Sequence, residues 1–518
     1  LSNAILQGMP IPLSWELAVI VPIFKKGDRN QPANYRPISL LDGVQKIFCR
    51  QIMDHMQDWL EESNILSDLQ AGFRLGVSTV DQVFRFSSIY WRECILNKGQ
   101  LYVVFVDLRA AFDMIPRDGL WRVLGDMGMP PSLLSILVRL HNRNEACVRW
   151  GDLGQLTAPF KIQQGVRQGC VLAPTLFSLY INDVISYLDR DGSDAPRVEG
   201  TRVPALLFAD DTLLLSRSPQ GLQQLLSDFV LFCKERGMEL NAMKTKYMIF
   251  NPKKGVKYLR GMYVGKDKLE HVNNFDYLGI RLASNMNWAL QIEKSATILS
   301  YQTAGILKIH RTTISRKLGP ALEIYNAKAL GAALYGLELW GEGNIKHLVV
   351  GENKFIRNLL MLSTSTPLIP LYLDLIKKPI QSRAADRALL FWHRLWTSPS
   401  LYSYRKGLAE LTEPANVYKI PWLARIRSLL TNLGLSNLWQ RPESMVSISS
   451  NYLKERYWEH VYITNATIQS TGSLTSDFMS FKPLFKYEEC LNEITPPADD
   501  TDIGFPAQIS NLTISWVQ

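Results

Sequence analysis

The run ALLFADDTLLLS, residues 205–216, sets two adjacent carboxylates, Asp210 and Asp211, inside an otherwise apolar stretch. Leu206, Leu207 and Phe208 precede them, and Leu213, Leu214 and Leu215 follow. Burying such a pair desolvates each anion and adds the neighbour's like charge to the cost. Two arrangements relieve it. One is a tight turn, where Asp hydrogen-bonds its own backbone at a hairpin tip. The other is a divalent metal between the carboxylates. In either case ALLF and TLLLS read as the two short strands of a hairpin.

A second acidic segment, VVFVDLRAAFDMI, lies about 100 residues earlier, as the numbering shows. Residues 101–106, LYVVFV, form a continuous apolar run of β type, as in a strand covered on both faces. Asp107 sits where that run stops, and Asp113 reads as a structural cap on the turn beyond it. If the hairpin packs beside this strand in one sheet, Asp107 and Asp210 meet. Converging carboxylates make a hard-oxygen site suited to Mg²⁺. Two such ions about 4 Å apart would activate a 3′-hydroxyl and brace a transferring phosphate. Between the acidic segments lies GVRQGCVLAPTLFSLYIND, 165–183. Gly165 and Gly169 would let backbone approach a flat ligand, with Arg167 and Gln168 as donors.

The surrounding elements follow from the pattern. Residues 15–24 read as a buried strand, 25–37 as a polar loop, and Asp42 to Glu61 as a helix. Helical spacing runs from Asp118 to about Val138, broken at Met129-Pro130-Pro131. Ser218 with Pro219 opens a helix that Gly237 closes, and KYMIF, 246–250, is again a strand. Beyond about residue 290 the pattern is mostly helical, and TPPADDTD, 495–502, reads as a loop or linker. Strands and helices therefore mix, an α+β class, over 518 residues with 47% apolar and 20% charged content. The net charge of +9 fits a polyanionic partner. The six cysteines form no C-x-x-C pair, which argues against zinc and against a disulfide framework. No apolar run reaches the length of a membrane span, no secretory signal peptide is read in the sequence, and scattered cysteines suit reduced thiols, so an intracellular setting is expected.

Taken in order, these segments resemble the reverse-transcriptase domain of non-LTR (LINE-type) retrotransposons. The matching motifs are WELAVIVPIFKKGDRNQPANYRPISLL, LSDLQAGFRLGVSTVDQV, VVFVDLRAAFD, GVRQGCVLAPTLFSLYIND, LLFADDTLLL, GMELNAMKTKYMIF and FDYLGI, spanning about 15–285. The resemblance implies a right-hand polymerase: fingers and palm over 1–285, a helical thumb over 286–400, and a C-terminal helical region, 401–518, of unknown role. It implies an RNA-directed DNA polymerase using an RNA template, a DNA primer and dNTPs, with two Mg²⁺ ions or Mn²⁺. Asp107, Asp210 and Asp211 would be its catalytic metal ligands. Lys25, Lys26 and Arg36 would meet the triphosphate, Phe112 would exclude a ribose 2′-hydroxyl, and Gln168 would contact the incoming nucleotide. Lys244 would offer a proton to pyrophosphate. The family usually has Gly-Arg-Ser-Thr where this chain has Gly76-Val77-Ser78-Thr79, and Pro where it has Val171. Two readings compete with it: a catalytically inactive remnant that only binds nucleic acid, and a non-enzymatic helical interaction protein in which Asp210-Asp211 is merely a turn. No endonuclease is expected, because the chain opens almost inside the first motif. A nuclear location follows from the family alone. His310, His347, His393 and His460 lack cysteine partners at ligand spacing and read as ordinary core or surface residues; Lys253-Lys254 and Lys377-Lys378 read as solvated charge.

Overall fold

The computed structural model describes residues 1–25, 27–63, 65–151, 154–167, 169–190, 193–252, 261–312, 318–366, 378–457 and 460. The chain divides into two compact units, Leu1–Tyr457 and Trp458–Gln518. The expected linker at 495–502 and the lysines Lys253, Lys254 and Lys377 lie outside the described residues.

The central element is the strand Leu101–Val106, buried at every position. Antiparallel neighbours flank it: Asp211–Ser216 on one side and Lys246–Phe250 on the other. Ala205–Phe208 closes the hairpin on Asp211–Ser216, and the short strand Glu270–His271 adds in parallel at the far edge. Alternation splits the strand between two packing layers. Tyr102, Val104 and Val106 share a core with Leu222, Leu225, Leu226 and Phe229 of the helix Pro219–Glu235. On the other face Phe105 stacks on Phe275 at 4.1 Å, and Phe250 meets Phe86 at 5.0 Å. Each such buried side chain contributes roughly 1.5–3 kcal/mol. The helix behind the sheet starts as its sequence predicts: the Ser218 hydroxyl accepts the Gly221 N–H at 3.0 Å, and Gly237 adopts φ +67 just past its end.

A second sheet forms from Leu17–Phe24, Tyr35–Leu40, Glu145–Trp150, Gln155–Leu156 and Phe160–Lys161. The expected loop over 25–37 is thus shorter than its composition implies, because Tyr35–Pro37 already pairs with Pro22–Phe24. Pro22 faces Pro37 in that register. Neither can donate an N–H, so this is one of the ladder's non-hydrogen-bonded pairs, where an antiparallel sheet tolerates two prolines. The predicted helices fall at Gly43–Ser63, Arg117–Asp126 and Pro131–Asn142, the last two divided at the expected Pro130-Pro131 break.

The helix Thr79–Tyr90 is buried almost throughout, so it packs on two sides. Ser78 and Asp81 form its capping box, with the Ser78 N–H donating to Asp81 Oδ2 at 2.7 Å. One side meets the central sheet through Phe86. The other receives the helices of the C-terminal half: Phe84 lies 5.1 Å from Phe391 and 5.2 Å from Trp422, and the buried Asp81 carboxylate pairs with Arg394. Those helices, Ala289–Thr312, Leu318–Ile324, Lys346–Leu360, Ile380–Thr397 and Pro421–Asn432, bear out the helical reading beyond residue 290. The histidines His310, His347 and His393 are spread over separate helices, and His393 Nε2 bonds the Ile448 carbonyl at 2.6 Å. Among the described residues no helix is long and apolar enough to cross a membrane.

Two stability predictions follow from buried polar groups. Burial holds the His141 pKa down from 6.5 to about 4, and its Nδ1–H donates to the Leu137 carbonyl at 2.8 Å. The folded state keeps this ring neutral, so stability is full above pH 6.5 and falls as pH drops toward 4. Denaturation at pH 7 and pH 4.5 should differ by about 2–3 kcal/mol from this group, and His141→Phe should remove that share of the slope. Arg394→Ala leaves Asp81 as a buried carboxylate with only its capping partners. It should cost about 1–3 kcal/mol by thermal melting, and Asp81→Asn in the same background should recover part of the loss.

Candidate active site

Three carboxylates come together at one end of the central sheet. Val106 pairs with Thr212, so the next residue, Asp107, falls beside Asp211. Phe208 pairs with Asp211, which leaves Ala209 and Asp210 alone to make the turn. Ala209 holds φ +55, a left-handed conformation that costs an alanine roughly 1 kcal/mol. Gly72 backs this turn. A Cβ there would sit 2.2 Å from the Ala209 nitrogen, so only glycine fits. The hairpin is also tied from the side: the Leu207 N–H donates to Leu69, the Ala71 N–H donates to the Leu207 carbonyl, both at 2.9 Å, and Gln82 Nε2 bonds the same carbonyl at 3.1 Å.

Asp107 is fixed by the segment that follows the helix Pro219–Glu235. Its N–H donates to Thr245 Oγ1 at 3.2 Å, and its carbonyl accepts the Asn241 N–H at 2.8 Å. The Lys244 ammonium lies 3.8 Å from Asp107 Oδ2.

The electrostatics follow from this crowding. Asp210 is held above the ordinary carboxylate range, first by burial and then by Asp107, while Arg36 and Lys25 draw it back. Asp211 is pushed up to about 6 by burial and by the charges of Asp210 and Asp107. Arg36 lies in the second sheet, paired with Ile23, and Lys25 follows directly on the strand Leu17–Phe24, its N–H bonding the Asn34 carbonyl at 2.9 Å. Both side chains are exposed, and their field reaches Asp210 across the gap between the sheets.

Phe112 is half-buried on the short helix Ala111–Met114, its ring 4.9 Å from that of Phe177. Asp113, expected to cap the turn, sits in that helix's first turn. Of the two glycines expected to let backbone approach a ligand, Gly165 is buried and Gly169 is exposed. A Cβ on Gly165 would strike the Asp113 backbone at 2.6 Å, and one on Gly169 the Ser39 carbonyl at 2.5 Å. Both serve backbone-to-backbone packing. Arg167 is likewise structural: it is buried, and Nη1 and Nη2 bond the Trp15 and Glu16 carbonyls at 2.7 and 2.5 Å. Lys26 and Gln168 lie outside the described residues. The contributions of Gly72, Gln82 and Thr245 went unread in the sequence. Only Gly72 carried a signal there, a glycine between apolar residues in AGF.

Among the described residues no group of three acidic, histidine or cysteine side chains closes tightly enough to cage a metal by itself. The donor chemistry still fits a divalent ion. Three carboxylates, hard-oxygen donors of the type such an ion takes, crowd one strand edge, and two of them are penalised for carrying charge there.

Comparison with known proteins gives the assignment. The family model "Reverse transcriptase (RNA-dependent DNA polymerase)" matches residues 23–282. The chain is 28% identical over 369 residues to the probable RNA-directed DNA polymerase from transposon BS of Drosophila melanogaster, covering 68% of this chain and 39% of that protein. It is 26% identical over 353 residues to the RNA-directed DNA polymerase from mobile element jockey of the same organism, covering 67% and 37%. The chain thus spans about two fifths of the length of these relatives. Among solved structures, telomerase from Candida albicans in complex with a fragment of telomeric RNA overlaps at a TM-score of 0.40, with 11% identity, over 85% of this chain and 66% of that one. The family is divalent-metal dependent in general, and its fold is the right-hand polymerase. The chain belongs to the reverse transcriptase (RNA-dependent DNA polymerase) family, with non-LTR retrotransposon polymerases as its relatives.

Proposed function

We propose that this chain is an RNA-directed DNA polymerase of a non-LTR retrotransposon, adding dNTPs to the 3′ end of a DNA primer on an RNA template. The observation that carries this reading is the convergence of Asp107, Asp210 and Asp211 opposite the cations Lys25 and Arg36. An acidic edge facing a basic wall is what nucleotidyl transfer needs, since one side must bind metal and the other phosphate.

In this reading residues 1–285 are fingers and palm, 286–400 the thumb, and 401–518 a C-terminal helical region. Asp107, Asp210 and Asp211 would hold two Mg²⁺ ions, replaceable by Mn²⁺, which would supply activation of the 3′-hydroxyl and charge stabilisation for the leaving pyrophosphate. Lys25, Lys26 and Arg36 bind the triphosphate; the planar guanidinium of Arg36 suits bidentate phosphate contact. Phe112 would clash with a ribose 2′-hydroxyl, and Gln168 would contact the incoming nucleotide. Lys244, 3.8 Å from Asp107 Oδ2, holds a proton near the leaving group. Template and primer are gripped through their backbones and by stacking, so binding weakens as salt rises. Priming at chromosomal nicks would place the protein in the nucleus.

Primer extension on an RNA template with Mg²⁺ is the test. Asp210→Asn should lower product by at least about 100-fold, the scale of losing one key electrostatic group. Equal, background-level product from both proteins, with nucleic acid still bound, would instead identify an inactive remnant. Phe112→Ala should raise ribonucleotide use relative to deoxynucleotide use by at least about tenfold, while leaving deoxynucleotide extension largely intact.

A further inference from the structure

We propose that Cys49 and Cys170 are a paired modification site, a dithiol that a peroxide converts into a disulfide. Their sulfurs lie 3.9 Å apart, and the two residues stand 121 positions apart in sequence. Cys49 comes from the helix Gly43–Ser63, and Cys170 from the loop leading into the helix Ala173–Tyr180. Both are buried, but Cys170 retains 8% exposure against 2% for Cys49, so a small oxidant reaches Cys170 first.

The surroundings differentiate the two thiols. Cys170 shares a thiol–thiol hydrogen bond with Cys49, lies at the backbone N–H groups of Leu172 and Ala173, and sits near the Arg167 guanidinium; these hold its pKa down to about 7. The Cys49 thiol is pushed up, first by its hydrogen bond to Cys170 and then by burial. The buried Arg167 Nε has no hydrogen-bond partner. One sulfur is therefore poised as a nucleophile, and the other keeps its proton until needed. The remaining described thiols differ. Burial pushes Cys94 and Cys233 up to about 12, and Cys147 faces the Ala18 carbonyl at 3.9 Å.

The chemistry balances with a peroxide as oxidant. The Cys170 thiolate attacks the O–O bond, forming a sulfenic acid and releasing hydroxide. The Cys49 thiol then attacks that sulfur; the S–O bond breaks, the S–S bond forms, and water leaves with the thiol's proton. Two thiols lose two electrons and two protons, and hydrogen peroxide becomes two waters. The sulfurs must close from 3.9 Å to the ~2.05 Å of a covalent bond. That movement draws Cys170 toward the helix Gly43–Ser63, while its neighbours Arg167 and Gly169 are already packed on Trp15, Glu16 and Ser39. Resting on the polymerase reading, in which Gln168 contacts the incoming nucleotide, the link would pull that packing out of place and slow extension.

The test treats the reduced full-length chain with hydrogen peroxide, alkylates free thiols, and maps peptides by mass spectrometry. A Cys49–Cys170 linked peptide that dithiothreitol removes is expected. Cys49→Ser should abolish the link and leave a dimedone-reactive sulfenic acid on Cys170, and Cys49→Ala checks that the serine hydroxyl is not the cause. Full alkylation of both residues after peroxide overturns the proposal, as does an equal sulfenic signal at Cys94 or Cys233. Primer extension should fall at least tenfold on oxidation and return with dithiothreitol, while Cys49→Ser stays insensitive. A linked peptide in a protein with no extension at all supports the site and sinks the polymerase reading alone. A link that leaves extension unchanged overturns the proposed effect on the loop.

Discussion

The antiparallel pairing of Val106 with Thr212 is the contact on which the rest turns. It brings Asp107 to the hairpin that carries Asp210 and Asp211, although about 100 residues separate them in the chain. Three anions at one strand edge repel one another, and partial desolvation by the surrounding protein adds to the cost even though Asp210 and Asp211 open to solvent. A fold that gathers them anyway must hold them by force from elsewhere. The apolar strands provide it. Leu213, Leu214 and Leu215 and the buried run Leu101–Val106 together stabilise the sheet by more than the carboxylates destabilise it. The apolar setting that made the acidic pair conspicuous in the sequence is the same setting that keeps it in place.

That setting explains which parts of the molecule were legible beforehand. Continuous apolar strands, a Ser-Pro helix start and a double-proline break are local signals, and these elements appear where their residues put them; the strand Leu17–Phe24, expected to be buried, buries only Ala18, because it lies in the second sheet with much of its surface open. The acidic edge could be anticipated because it needed only one assumption, that the hairpin lies beside the Asp107 strand. The roles of Gly165, Gly169 and Arg167 could not. Whether a glycine faces a ligand or another backbone depends on what packs against it, and here that is Asp113 and Ser39, far away in sequence. Arg167 looked like a ligand donor for the same reason; its partners Trp15 and Glu16 lie about 150 positions upstream. Long-range backbone contacts leave no periodicity to read.

The helix Thr79–Tyr90 couples the acidic edge to the C-terminal half of the unit Leu1–Tyr457. Gln82 is the joint. Its amide nitrogen bonds the Leu69 and Leu207 carbonyls at 3.2 and 3.1 Å, and its oxygen accepts from Tyr404 at 3.3 Å. Arg92 extends the same connection, with Nε bonding Glu410 at 2.7 Å and Nη2 the Gly407 carbonyl at 3.2 Å. Such bonds are worth most when buried, because each unmade partner would lose its hydration with nothing in return. Residues 404–410 are therefore part of the support of the hairpin that bears Asp210, and not an appendage to it.

This coupling also accounts for the tolerance of the site to its own strain. Ala209 adopts a left-handed conformation, and Gly72 leaves no room for a side chain behind it. A turn held so closely cannot relax when Asp210 and Asp211 repel each other, since any outward movement breaks the Leu69, Ala71 and Gln82 bonds to Leu207 at once. A carboxylate pair on a soft loop would swing apart. On this turn it cannot, so the repulsion raises the proton affinity of Asp210 and Asp211 instead, and in the proposed polymerase the same repulsion would favour a divalent cation at the edge.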